Sequence, residues 1–87
     1  MYPIIITFKD KFLKDNTYEV KANVVSANES AIQRVLAKEK KNINRWLLMG
    51  KALMNIYFEE TGEVIATGWY QTNVFSGRGE YVFKMEK

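Results

Sequence analysis

Within the twenty residues from Thr17 to Leu36 the hydrophobic period of the chain changes from two to between three and four. Tyr18, Val20, Ala22 and Val24 point one way from an extended segment while Glu19, Lys21 and Asn23 point the other, the signature of a half-buried strand. Ala31, Ile32, Val35 and Leu36 then recur at helical spacing, with helix-favouring Ala, Gln, Arg, Lys and Glu between them. Ser26-Ala27-Asn28-Glu29 between the two patterns matches a capping box, in which the Ser26 hydroxyl accepts from the Glu29 amide and the Glu29 carboxylate reaches back. A strand over 17–25 followed by a helix that starts at this box and fades near Lys41 or Asn42 is therefore predicted.

The flanking segments are β-rich. Pro3 to Lys9 places Ile4, Ile6 and Phe8 on one side and Ile5, Thr7 and Lys9 on the other, giving a first strand; the polar stretch Asp10–Asn16, interrupted by Phe12-Leu13, is its hairpin loop. Ile43 to Phe58 fits either period, but strands are favoured because Asn55–Phe58, Glu59–Gly62 and Glu63–Thr67 form a hairpin pattern with Gly62 supplying a positive φ. Gly68 marks a bulge or a close backbone approach, and a glycine turn over 75–80 delivers a last strand, Tyr81 to Met85. The predicted fold is α+β: a small antiparallel sheet of about five strands, in the order β-β-α-β-β-β, with one helix packed across one face. Residues 1–87 make one domain, since a chain of this length cannot hold two cores.

Composition closes many chemistries. The absence of cysteine and histidine removes disulfides, thiolate and imidazole metal sites, cysteine nucleophiles and imidazole bases, so the expectation is a protein without enzymatic activity, cofactor or metal. The longest apolar runs, Ile4–Ile6 and Trp46–Met49, are far shorter than the roughly 20 residues of a membrane-spanning helix, and a cytoplasmic protein is expected. Ten lysines against three arginines, with seven isoleucines and seven asparagines, resemble the usage of an AT-rich genome such as that of a low-GC bacterium or a phage.

The net charge of +3 is unevenly spread: residues 34–51 hold six basic side chains against one acidic, while 52–87 hold three against five. Arg34, Lys38, Lys41 and Arg45 are spaced four, three and four apart, which lines them along one face if the helix runs as far as Arg45. Such a stripe binds phosphates with release of counterions, although solvated helix faces carry lysines for no other purpose. The carboxy-terminal half is rich in aromatic residues; Trp69, Phe83 and Phe58 are assigned to the core, and Tyr70 and Tyr81, with Arg78 between two glycines, to base contacts. The expected function is a small module binding RNA or single-stranded DNA through Arg34, Lys38, Lys41, Arg45, Tyr70, Arg78 and Tyr81. The alternative is a protein-binding inhibitor or adaptor, such as a small phage-type protein that blocks a host enzyme or defence complex, with an exposed sheet edge also open to homodimerisation. A metal-dependent nuclease site built on Glu19-x-Lys21 with Asp10 and Asp15 is a weaker third reading, because Glu-x-Lys on the exposed face of a strand is common by chance.

Overall fold

The computed structural model describes residues 1–47, 50–73 and 78–86, with only the backbone of Asn73 and Arg78. Five strands and one helix follow one another as β1 (Tyr2–Asp10), β2 (Thr17–Val24), α1 (Glu29–Trp46), β3 (Gly50–Phe58), β4 (Val64–Asn73) and β5 (Arg78–Met85). The α+β class and the β-β-α-β-β-β order are as predicted. The strands form a single sheet in the order β2-β1-β3-β4-β5, and every neighbouring pair is antiparallel. Because β1 lies between β2 and β3, those two strands run parallel to each other, and their connection must cross the sheet. The helix is that crossover, which is why it covers one face of the sheet.

Under the helix, alternate residues of the inner strands are sealed from water. Ile4, Ile6 and Phe8 of β1, Met54 and Ile56 of β3 and Ala66 and Tyr70 of β4 meet Ile32, Leu36, Ile43 and Leu47 from the helix and its end, all essentially fully buried. Each large aliphatic or aromatic side chain buried this way contributes about 1.5–3 kcal/mol.

The helix departs from expectation at both ends. Its N-cap is Asn28 and not Ser26: the Asn28 Oδ1 accepts from the Ala31 amide at 2.9 Å, and Ser26 serves only as an acceptor for the Asn28 amide group at 3.4 Å. It also continues past Asn42 to Trp46, correcting the predicted fade and the strand assignment after Ile43. Ile43 and Leu47 repeat the buried positions Ile32 and Leu36 after a polar stretch, Lys38–Asn42, so the apolar stripe resumes after a turn without apolar residues. Residues 48–49 and residues 75–77 of the expected glycine turn over 75–80 lie outside the described residues, and β5 begins at Arg78, before the predicted Tyr81.

The Glu59–Gly62 turn is as predicted, with Gly62 at φ +75°. Gly68 is the predicted close approach: a Cβ there would run into the Val82 carbonyl oxygen and come within 2.6 Å of the Phe83 Cα. The bulge lies elsewhere, at Ile65. There Ile56 pairs with Ala66 but Tyr57 with Val64, leaving one extra residue on β4.

Candidate nucleic-acid interface

The helix presents its cations as a ridge. Arg34, Lys38, Lys41 and Arg45 are all exposed on the side of α1 opposite Ile32, Leu36 and Ile43, spanning about 17 Å along the axis. Between them on the same face stand Ala37 and no acidic residue. Glu39, the acid of this stretch, is half-buried on the sheetward side and accepts from the Asn42 amide group at 3.0 Å. Among the described residues the one ion pair is Lys21–Glu59, 3.8 Å apart, so none of the four ridge cations has an acidic partner among them.

A hydrogen-bonded knot fixes the end of the helix that carries Arg45. Trp46 stacks on Tyr18 with ring centroids 5.7 Å apart, meets Phe8 at 6.1 Å, and donates from Nε1 to the Asn16 Oδ1 at 2.7 Å. Asn16 in turn donates to the Asp10 carboxylate, which also accepts from the Phe12 amide at 2.9 Å and the Leu13 amide at 3.2 Å. The backbone bond from Phe12 is the largest influence holding the Asp10 pKa below its ordinary 3.8, with Leu13 and Asn16 acting in the same direction. Asp10 is thus occupied in shaping its loop. Glu19 and Lys21 project from the opposite face of the edge strand, and among the described residues no three carboxylates gather to hold a metal ion.

The tyrosines expected to meet bases are elsewhere. Tyr70 is fully buried, stacks on Tyr81 with centroids 4.6 Å apart, and donates its hydroxyl to the Asn44 Oδ1. Tyr81 is half-buried and donates to the backbone carbonyl of Leu36 at 2.9 Å. Burial raises both phenol pKa values; for Tyr81 the neighbouring Tyr70 and Glu39 add to the effect. These two residues fasten the sheet to the helix and cannot stack on bases, which corrects the sequence assignment. The side chain of Arg78 lies outside the described residues.

Trp69, assigned to the core from sequence, stands instead on the face of the sheet that no helix covers. The Lys51 Nζ sits 4.2 Å from its ring centroid, and Leu53 and Val82, its partners on the two neighbouring strands, are 48% and 45% exposed. Phe83 and Phe58 pack partly buried against the core as expected. The polar residues Thr67 and Gln71 that bracket Trp69 at alternate positions were the signal for its outward face.

The ridge and the uncovered sheet face lie on opposite sides of the molecule, so one short strand of nucleic acid cannot use both at once. No known protein family, curated protein or solved structure matches this chain, and surface chemistry alone bears on what it does.

Proposed function

We propose that this protein is a non-enzymatic module that binds nucleic acid through its phosphates, with Arg34, Lys38, Lys41 and Arg45 as the contact residues. The observation that carries the reading is the uninterrupted cationic ridge on the outer face of α1, which has no acidic partner among the described residues. Four cations held at helical spacing on a rigid element form a linear electrode for a polyanion, and binding is driven by counterion release. With Tyr70 and Tyr81 under the helix, the ridge itself carries no base-reading group, so the contact is independent of sequence. RNA and single-stranded DNA are the proposed ligands.

The test is fluorescence anisotropy with labelled single-stranded RNA, single-stranded DNA and duplex DNA over a range of salt. Four phosphate contacts on a single strand give a slope of log K against log salt of about −3, and the Lys38→Glu, Lys41→Glu double variant at least halves that slope. Undiminished affinity in a folded double variant refutes the reading, and a preference for duplex corrects the ligand to double-stranded DNA.

A further inference from the structure

In two rows across the uncovered face of the sheet, the charges at the two edges stand in opposite order about the central strand, β3. One row across the strands runs Glu19 (β2), Thr7 (β1), Asn55 (β3), Thr67 (β4) and Lys84 (β5). It opens on an acid and closes on a base. In the next row the order is reversed: Lys21 stands at the β2 edge, and at the β5 edge stands Glu86, whose carboxylate accepts from the Thr67 hydroxyl at 3.3 Å. On the other side of the first row, Lys9, Leu53, Trp69 and Val82 lie abreast.

We propose that a second copy of this chain covers this face, related by a two-fold axis that runs along β3. Rotation about such an axis lays the β2 edge of one copy over the β5 edge of the other and leaves each residue at the same height along the strands. Glu19 then meets Lys84 of the second copy, and Lys21, which is 3.8 Å from Glu59 of its own chain, meets Glu86 as a second acid, each contact occurring twice. Leu53 and Tyr57 of β3 meet their own equivalents, Asn55 meets Asn55 with matching amide donors and acceptors, and Lys51, on the same strand face, has its head drawn aside over the Trp69 ring of its own chain, with Lys9 of the second copy reaching the same ring.

The size of the face is adequate. Five strands about 4.8 Å apart and about eight residues long, at roughly 3.3 Å per residue, offer on the order of 600 Å² per copy before side-chain relief is counted. A standard stable interface takes about 800 Å² from each partner, so the dimer belongs at the weaker end, with a dissociation constant of roughly micromolar order. Two such sheets stack about 10 Å apart. The helices then lie on the two outer surfaces with both cationic ridges free.

Sedimentation velocity on the whole chain, from about 1 µM to about 500 µM, tests this. The expected result is a mass that rises with concentration toward twice the 10.2 kDa of one chain. Glu19→Lys alone and Lys84→Glu alone each weaken the dimer by about tenfold, since each creates two like-charge contacts. An equimolar mixture of the two variants returns to wild-type affinity, because every contact in the mixed dimer again joins opposite charges. Leu53→Ser with Trp69→Ser gives a monomer whose circular dichroism is unchanged. A monomer at every concentration overturns the proposal. So does a dimer indifferent to the charge variants, or a monomer whose open-face amide resonances shift on adding single-stranded oligonucleotide or a purified protein partner. The ridge is on the far side of the sheet, so either surface can fail its test while the other passes.

Discussion

Tyr81 joins three features of the molecule at once: it stacks on Tyr70, donates to a mid-helix carbonyl and lies beneath the cationic ridge. Removing its hydroxyl in Tyr81→Phe leaves the stack intact and costs about 1 kcal/mol, the net worth of a typical hydrogen bond, read as a lower urea midpoint at unchanged slope. Gly68→Ala is more severe. Its Cβ meets backbone atoms of β5, which cannot rotate away as a side chain does, and a loss of about 1–3 kcal/mol with weakened β4–β5 pairing is expected in urea unfolding and amide exchange. Asp10 gives the molecule an acid-sensitive loop. Its folded pKa is lower than its unfolded value, so its contribution is fully present above pH 3.8 and is lost as pH falls through the lowered folded value. Comparing wild type with Asp10→Asn from pH 6 to pH 2.5, the wild type should lose stability steeply in the acid limb while the variant, weaker at neutral pH, loses less.

Among the elements, the helix start offers a clean discrimination between two capping residues two positions apart. Asn28→Ala removes the bond to the Ala31 amide and costs about 1 kcal/mol, whereas Ser26→Ala, which leaves that bond in place, shifts the thermal midpoint little. The capping box read at Ser26, with the cap found at Asn28, also shows what the sequence could and could not reveal. The strands β1 and β2 were legible to within a residue, the Gly62 turn was placed correctly, and the existence of the helix was legible although its cap lies two residues later than read. The helix end was not, because Lys38–Asn42 is a full turn without a large apolar residue and hides that Ile43 and Leu47 continue the stripe. In β4 the extra residue at Ile65 resets the alternation, and Ala66 and Gly68 carry too little side chain to show which parity faces the helix. Trp69 and Tyr70 were consequently assigned to opposite faces from those they occupy. That error of parity moved Tyr70 into the core; Tyr81, on β5, shares its face with Phe83, which the sequence had assigned to the core, while Arg34, Lys38 and Lys41 lie on the helix face where the spacing put them and Arg45 joins them because the helix runs on to Trp46.

At the scale of the whole molecule, the ridge is an electrostatic liability that the fold carries. Arg34 with Lys38, Lys38 with Lys41, and Lys41 with Arg45 are like charges one turn apart, and each such pair destabilises a helix by about 0.2–0.5 kcal/mol. No acid on that face relieves them, and their opposition to the buried stripe means their heads need not cover the core. If the cations were there for stability, neutralising two of them would weaken the protein. If they are there for a polyanion, the same change relieves repulsion and removes affinity together. The double variant Lys38→Gln, Lys41→Gln is therefore expected to raise the thermal midpoint by a few degrees at low ionic strength, since about 1 kcal/mol corresponds to roughly 4–8 °C in a domain of this size. That gain should vanish near 1 M salt, where the screening length is about 3 Å. Single-stranded RNA binding should fall in the same variant. Differential scanning calorimetry and anisotropy on one preparation read both quantities: opposite movements support a ridge kept for binding, whereas a lowered midpoint at low salt would mean that the lysine stems pack on the fold and that the ridge is structural.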